Sequence, residues 1–192
     1  KNANGKITRK CSVCGKTTTS TLYAPKTVTL SAASYTYDGK VKKPSVTVKD
    51  SKGNKIGSQY YTVSYPSGRK NVGKYTVKVT FKGNYIGSKS TTFAIKPKGT
   101  SVSKVTAAKK GFKVTWKKQA TQTTGYEVQY STASNFKKGN KTVTVSKNKT
   151  TSKSVSKLSA KKKYYVRIRV YKKQKGGKLY GAWSPVKSTK VR

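Results

Sequence analysis

Alternation of apolar and polar residues is the feature that most limits how this chain can fold. Lys74 to Phe81 (KYTVKVTF) and Tyr164 to Tyr171 (YYVRIRVY) each alternate over their whole length, which is the period of a strand with one buried face. Shorter runs of the same kind recur from Thr27 onward, separated by Gly, Asn, Asp and Ser. Since no stretch has the period of an amphipathic helix, we expect an all-β chain.

The composition predicts small cores beneath a strongly cationic surface. Of 192 residues, 45 are Lys or Arg and three are acidic, so the net charge is +42, and 32% of the residues are hydrophobic. High charge with low hydrophobicity is typical of disorder, but 14 Tyr among alternating Val, Ile and Thr favour half-buried strands. A surface this positive attracts polyanions in a salt-dependent way. We therefore expect anionic polymers as partners.

The order of strand and turn signals indicates two tandem β-sandwich domains. Regular alternation begins near Thr27, and Pro and Gly interrupt it in the middle of the chain. We expect a partly disordered segment at 1–26, a sandwich at 27–96, a linker at 97–100 and a second sandwich at 101–192. In the first sandwich, Asp38-Gly39 predicts a two-residue hairpin turn.

The second half resembles a fibronectin type III domain over residues 100–192. Four segments carry the resemblance, in the order of that family: Trp116, Tyr126 to Tyr130 (YEVQY), Leu158 with Tyr164, and Trp183-Ser184-Pro185. They are similar to the family's core Trp, its strand C, its tyrosine corner and the turn into its last strand. The resemblance implies a seven-stranded sandwich without catalytic chemistry.

The first half resembles the bacterial immunoglobulin-like repeats of Gram-positive surface proteins. The supporting segments are Tyr35 to Lys40 (YTYDGK), Tyr61 to Tyr65 (YTVSY), Asn71 to Val77 (NVGKYTV) and Lys82 to Gly87 (KGNYIG). The whole chain is similar to the C-terminal regions of clostridial cell-surface proteins. That resemblance implies an extracellular location, at the bacterial surface or secreted, and makes residues 1–26 the tail of a truncated Cys-containing repeat.

Cys11 and Cys14 form half of a structural zinc motif. Such a site needs four Cys or His ligands, whereas the chain has two Cys and no His. A monomer therefore cannot complete it, and we expect no cofactor. A zinc ion shared with another chain or with further repeats, a redox disulfide and an idle pair of thiols remain open, and the weakness of half-motifs favours the idle pair.

The three acidic residues leave little scope for catalysis. Acid–base chemistry uses His or carboxyl groups with tuned pKa values, and glycoside hydrolysis uses two facing carboxyls. Asp38 and Asp50 lie in predicted turns, where Asp has an ordinary structural role. Glu127 lies on a predicted strand opposite Arg167 and Arg169, which indicates a cross-strand ion pair. We therefore expect that the chain is not an enzyme.

One strand carries the best candidate binding face. Alternation places Tyr165, Arg167, Arg169 and Tyr171 on the side of the strand away from the core. Two Arg flanked by two Tyr would suit a sulfated or carboxylated sugar, or a nucleotide base. The alternative is an ordinary solvated face in a protein that is basic throughout.

The sequence leaves three functional hypotheses open. The first is a stalk or attachment region of a bacterial surface protein that binds teichoic acid or acidic and sulfated glycans through lysines. The second is an adhesin module for a specific host protein or glycan, such as mucin, glycosaminoglycan or immunoglobulin. The third is nucleic-acid binding, which the positive charge permits. It would be non-specific, because no nucleic-acid-binding motif is present. No apolar run reaches the length of a transmembrane segment.

Overall fold

A computed structural model describes residues 4–192, and β-strands dominate it. In this range the only helical element is a 3₁₀ turn, Ser58–Tyr60. None of the helices in the described range is long and apolar enough to cross a membrane. The chain divides into two compact units, one built mainly from residues up to Ala94 and the other from Ile95–Arg192. Thr36–Lys40 and Lys70–Gly73 group with the second unit.

The described part of the first unit has three sheets. Its strands are β1 (Gly5–Lys10), β2 (Thr17–Leu22), β3 (Pro25–Leu30), β4 (Ser34–Thr36), β5 (Val46–Asp50), β6 (Lys55–Ile56), β7 (Tyr61–Ser64), β8 (Gly73–Phe81) and β9 (Ser88–Lys96). β1 and β2 form a separate hairpin, while the other sheets have the orders β3-β5-β6 and β4-β9-β8-β7. In these two sheets, some strands pair with the next strand in sequence and others, such as β4 and β9, pair with a distant one. This mixture is typical of sandwich folds.

Alternation builds the core of the first unit. On β8, Val77, Val79 and Phe81 are buried, while Lys78 between them and Lys74 before them are exposed. Val79 and Phe81 pack with residues of the neighbouring strands in one cluster, which also contains Val48, Ile56 and Tyr61. The lysines thus occupy positions that the strand period directs to solvent.

The second unit consists of two sheets that share one core. Its strands are β10 (Val102–Ala108), β11 (Gly111–Trp116), β12 (Gly125–Ser131), β13 (Lys141–Val145), β14 (Ser152–Val155), β15 (Lys163–Gln174), β16 (Gly177–Tyr180) and β17 (Lys187–Lys190). One sheet has the order β10-β11-β14, and the other β13-β12-β15-β16, with β17 also paired to β15. Inner residues of both sheets belong to a single buried cluster, which makes this unit a β-sandwich.

Aromatic residues fill the middle of this sandwich. The Trp116 ring centroid lies 5.3 Å from that of Tyr126, and Phe112 meets Tyr130 edge to face at 5.6 Å. Val128 is fully buried beside them. Because large aromatic side chains bury much area each, a few of them form a stable core in a chain with little apolar content.

The predicted tyrosine corner is present. Leu158 is buried, and the Tyr164 hydroxyl accepts a hydrogen bond from the Ser159 backbone N–H at 3.3 Å. The Leu158 N–H donates in turn to the Lys110 carbonyl at 2.9 Å. These bonds fix the loop that leads into β15.

The hairpin predicted at Asp38-Gly39 is wrong. β4, which precedes this pair, joins the sheet of β9, whereas β5, which follows it, joins the sheet of β3. The two residues lie in a loop between sheets, where the Asp38 carboxylate accepts the Lys40 N–H at 2.9 Å and Gly39 has φ +78°. Asp38 and Gly39 therefore form a local turn as their residue types predict. The strands on either side do not pair with each other, because each joins a different sheet.

Residues 5–22 lie in the segment 1–26, for which we expect the partly disordered tail of a truncated repeat. They form the β1-β2 hairpin, paired from Gly5 opposite Leu22 to Lys10 opposite Thr17. The Thr-rich sequence of β2 favours extended backbone. Most of its side chains are exposed, with Ile7 and Leu22 half-buried. Residues 1–3 of that segment lie outside the described residues.

Candidate functional site

The strand predicted to carry a binding face, β15, alternates as expected over most of its length. Tyr164, Val166, Ile168 and Val170 are buried in the core, and Tyr165, Arg167 and Arg169 are half-buried on the opposite face. Tyr171 departs from the prediction, because it is only 3% exposed. Lys178 lies over its ring, with Nζ 4.4 Å from the centroid. A side chain of the neighbouring strand β16 therefore covers the outer face of β15 at Tyr171.

Arg169 forms the predicted ion pair with Glu127, which faces it from β12. Arg169 Nε and Nη2 both donate to Glu127 Oε2, at 3.0 and 2.6 Å. The other carboxylate oxygen accepts bonds from Lys178 Nζ at 3.1 Å and from the Tyr180 hydroxyl at 3.0 Å. One buried carboxylate thus joins three side chains of β15 and β16.

These bonds control the ionisation of Glu127. Burial by itself would raise the pKa of this carboxyl group, but the hydrogen bonds from Arg169, Lys178 and Tyr180 outweigh it and lower the pKa below its ordinary value. The same contact raises the pKa of Lys178. Glu127 is therefore a charged structural group and is poorly suited to accept a proton from a substrate.

Arg167, the other arginine on this face, bonds to a different residue of β12. Its Nε and Nη2 both donate to the side-chain oxygen of Gln129, at 2.8 and 2.6 Å. The Gln129 residue faces Arg167 in the strand register just as Glu127 faces Arg169. The pairing follows the cross-strand register, because each guanidinium reaches the residue directly opposite it.

Both guanidinium groups are also stacked between aromatic rings. Arg167 Cζ lies 4.1 Å from the Phe136 centroid and 4.6 Å from that of Trp183. Arg169 Cζ lies 4.4 Å from the Trp183 centroid and 3.6 Å from that of Tyr180. We call this set the arginine–aromatic stack; its members in order are Phe136, Arg167, Trp183, Arg169 and Tyr180.

Backbone contacts hold Trp183 in the arginine–aromatic stack. The adjacent Ser184 N–H donates to the Ile168 carbonyl at 2.8 Å, and the Ile168 N–H donates to Ser184 Oγ at 3.1 Å. The segment before β17 is thereby bonded to the middle of β15. As a result, the Trp183 ring lies between the two arginines of that strand.

The stack changes the interpretation of the predicted face. Each guanidinium has its planar faces against aromatic rings and two of its donors on a side chain of β12. Such contacts stabilise the sheet and leave less of each arginine for bidentate binding of an anion. Of the four predicted residues, Tyr165 is half-buried beside Lys163, whose Nζ lies 5.5 Å from its ring centroid.

The other two acidic residues also have structural partners. Asp50 Oδ1 accepts the backbone N–H groups of Lys52 and Asn54, at 2.8 and 2.9 Å. Burial would raise the pKa of Asp50, but these bonds and the Asn54 side chain lower it. Asp38 caps its own loop through the Lys40 N–H. Both residues therefore stabilise turns, as predicted.

Cys11 and Cys14 lie in the turn between β1 and β2, exposed and not disulfide-bonded. The Cys14 N–H donates to Cys11 Sγ at 3.5 Å. Backbone donors from Cys14 and Val13 lower the pKa of the Cys11 thiol. Within residues 4–192, no group of three or more Cys, Asp, Glu or His residues is placed to bind a metal ion.

Comparison with known proteins bears on the second unit. Residues 95–187 match the family model described as Fibronectin type III domain. The second unit contains a fibronectin type III domain. Fibronectin type III domains as a family are non-enzymatic scaffold or binding folds, are typically extracellular, and commonly serve as stalks or binding modules. The predicted resemblance of the second half is thereby confirmed.

Among solved structures, the chain is similar to the crystal structure of chicken CNTN1 FN1-FN3 domains. Sequence identity is 16% and the TM-score is 0.44, over 98% of this chain and 77% of that chain. No curated protein matches the chain. The strands of the described residues and the shared core of the second unit confirm the all-β sandwich class predicted from the sequence.

The sequence analysis did not predict the aromatic partners of the two arginines in the fibronectin type III domain. Alternation placed Arg167 and Arg169 on one face, and Trp183-Ser184-Pro185 was recognised as a mark of the family. The missing step was that Trp183 and Tyr180 lie against that same face. The sequence did hold a signal for this contact. Tyr180 and Trp183 lie in the part of the chain that follows β15 and forms the strands paired with it, β16 and β17.

Proposed function

We propose that this chain is a non-enzymatic, extracellular attachment segment of a bacterial surface protein, and that its lysines bind anionic wall polymers or acidic glycans. The observation that carries the proposal is a net charge of +42 on a chain of β-sandwich units. A charge of this size creates a strong positive potential around each unit. Teichoic acids and sulfated or carboxylated glycans are the polymers that match it.

The positions of the lysines support this proposal. Lys74 and Lys78 on β8 and Lys113 on β11 are exposed, in strands whose alternate residues form the cores. Lys161 and Lys162 are exposed in the loop before β15. The fold therefore presents ammonium groups on sheet faces and loops without placing charge in its cores.

The type of cation supports binding of a polymer over binding of one small anion. The two arginines of the predicted face are engaged in the arginine–aromatic stack. The remaining cations are mostly lysines, and an ammonium group is a hydrated point charge with little geometric selectivity. Binding then depends on the number of simultaneous charge contacts, so affinity grows with polymer length and falls as salt rises.

The state of the carboxylates supports the non-enzymatic part of the proposal. Glu127 is bonded to Arg169, Lys178 and Tyr180, and Asp50 accepts backbone donors of its own turn. Neither group has the free lone pairs and raised pKa expected of a general acid–base catalyst at neutral pH.

The test is binding of the purified chain to intact cell walls and to walls stripped of teichoic acid. We expect strong binding to intact walls at about 0.05 M NaCl that is lost by about 0.5 M, and weak binding to stripped walls at both salt concentrations. Equal binding to both wall preparations would contradict the proposal.

A matched pair of variants separates charge from other contributions. Lys74, Lys78 and Lys113 are exposed, so their replacement by Gln should leave the fold intact and weaken wall binding several-fold. Replacement of the same three by Arg keeps the charge and should retain binding. If both variants bind alike, charge does not determine attachment.

The adhesin and nucleic-acid hypotheses predict other outcomes of the same salt series. A specific complex with a host protein or glycan should persist near physiological salt and depend on a few residues, whereas non-specific DNA binding should disappear as salt rises. A glycan and host-protein array at two ionic strengths distinguishes them. Persistent binding of one glycan or protein would favour the adhesin hypothesis.

A further inference from the structure

The turn between β1 and β2 has a defined geometry around its two thiols. The Cys11 N–H donates to the Lys16 carbonyl at 2.8 Å, and the Gly15 N–H donates to the Cys11 carbonyl at 3.0 Å. Gly15 has φ +71°, which side-chain-bearing residues rarely adopt. These bonds close a six-residue turn, residues 11–16, whose side chains are all exposed. Both thiols therefore lie on the solvent side of the hairpin tip.

One further contact distinguishes Cys11 from an ordinary surface thiol. The Cys14 N–H donates to Cys11 Sγ at 3.5 Å. A backbone donor on sulfur stabilises negative charge there, and hydrogen bonds of this kind orient and support the ligands of metal sites. The thiols play no part in either buried cluster of the described residues. Core packing thus gives no reason for Cys at these two positions.

The spacing and type of the ligands select a class of ion. Two sulfur ligands at C-x₂-C spacing suit a thiophilic ion, of which Zn²⁺ takes four ligands in a tetrahedral arrangement. One chain supplies two of the four, since the sequence has two Cys and no His. A second copy of the same turn supplies an equivalent pair through two-fold symmetry.

The charges around the turn fit such a shared site. Four thiolates around one Zn²⁺ carry two excess negative charges. Arg9, Lys10 and Lys16 flank the thiols in each chain and are exposed. The metal site would therefore gain compensating cations from both chains, at a point where two positively charged tips otherwise repel each other.

We propose that the hairpin tips of two copies of this chain bind one Zn²⁺ through Cys11 and Cys14 of each copy. Four thiols lose their protons and four Zn–S bonds form, so four protons are released for each ion and no electrons are transferred. The site joins two chains at their hairpins, independently of the lysines that bind polymers.

The test uses the whole chain, reduced and kept free of oxygen, with Co²⁺ as a spectroscopic substitute for Zn²⁺. We expect absorption bands of tetrahedral thiolate-bound Co²⁺ that stop increasing at one ion per two chains. Zn²⁺ should then remove these bands, and sedimentation should show a dimer with Zn²⁺ and a monomer with a chelator. A stoichiometry of one ion per chain, or a monomer at saturation, would overturn the proposal.

Matched variants establish which groups bind the ion. C11S and C14S should each lose the tetrathiolate bands, whereas Ser12→Ala, in the same turn, should keep them. Lys10→Gln with Lys16→Gln should weaken Zn²⁺ binding several-fold, because compensating charge is removed. Unchanged spectra in C14S would also overturn the proposal.

The result can be separated from the test of wall attachment. Wall binding of the C11S variant should equal that of the unsubstituted chain in the presence of a chelator. Loss of wall binding with intact metal binding would contradict the proposed function alone, and the reverse result would contradict the zinc site alone.

Discussion

At the scale of single residues, Glu127 is the centre of the outer face of the fibronectin type III domain. Its side chain is 7% exposed and contacts Arg169 and Lys178, whose side chains are 26% and 33% exposed. The Tyr180 hydroxyl completes the set. Because the partners remain partly solvated, the contribution of this group to stability is moderate, and it depends on the charge of the carboxylate.

Replacing Glu127 by Gln should destabilise the domain at neutral pH by about 1–3 kcal/mol, since Arg169 and Lys178 lose a charged partner. The pKa of Glu127 is lowered in the folded state from 4.5, its ordinary value. Its stabilising effect is therefore complete above that value and is lost as pH falls through the lower folded-state pKa.

Urea unfolding of both proteins between neutral and strongly acidic pH measures this effect. The difference in unfolding free energy between the unsubstituted chain and E127Q should narrow as pH decreases. A difference that stays constant down to the lowest pH would mean that the carboxylate charge is not responsible.

At the scale of elements, the arginine–aromatic stack connects the loop between β12 and β13, strands β15 and β16, and the segment before β17. Trp183 stands between Arg167 and Arg169, while Ser184 bonds the same segment to Ile168. The stack therefore fixes how the last part of the chain lies on the sheet. It acts as a second cluster of packed rings on the face opposite the core.

Replacing Trp183 by Ala should lower the unfolding free energy by about 2–4 kcal/mol, because two cation–π contacts and buried ring area are lost. Trp183→Phe keeps a ring between the guanidiniums and should cost about 1 kcal/mol. Circular dichroism during denaturant unfolding checks this without relying on Trp fluorescence. Equal stability of the Ala and Phe variants would show that the ring does not contribute.

The sequence predicts strands well where apolar residues alternate, and poorly where they do not. The two long alternating runs form β8 and β15. Ser152–Val155 and Gly177–Tyr180 are also strands, although Ser, Lys and Gly dominate them. They lie at the edges of their sheets. Each of them is extended because it pairs with a strand of strongly alternating sequence, β11 or β15. The alternation of residues within a short segment does not reveal such pairing.

The candidate site shows the same limit. Strand parity predicted a cross-strand ion pair of Glu127 with the arginines of β15, because the side-chain period of a strand is a local rule. The register between β12 and β15, which is not local, selects Arg169. The rings that cover the arginines come from residues 136, 180 and 183, each 11 or more residues away in sequence (180 − 169 = 11) from the arginine that it contacts. Tyr171 was expected to be exposed, but Lys178 and Tyr180 of β16 cover it.

At the scale of the whole molecule, self-repulsion is the main electrostatic consequence of the composition. Three carboxylates oppose 45 basic side chains, and each carboxylate already has a structural role described above. The compact state therefore concentrates positive charge that the unfolded chain spreads over a larger volume. Stability should depend on ions supplied by the surroundings.

Raising NaCl from about 0.02 M to about 0.3 M should increase the melting temperature by about 5 °C or more, because screening reduces repulsion in the folded state. Polyphosphate at low salt should produce a similar increase at a much lower concentration. The variant with Lys74, Lys78 and Lys113 changed to Gln serves as the control. It should melt higher at low salt and respond less to NaCl. A melting temperature that falls with salt would contradict this explanation.

The position of the two Cys residues has one more consequence. The chain contains no Met, so the turn of residues 11–16 holds all of its sulfur. Hydrogen peroxide and similar oxidants attack exposed thiolates first, and elsewhere they damage proteins through Met in cores and interfaces. In this protein an oxidative attack on sulfur is confined to the hairpin tip. Neither hydrophobic cluster of the described residues contains a sulfur atom that such an oxidant could attack.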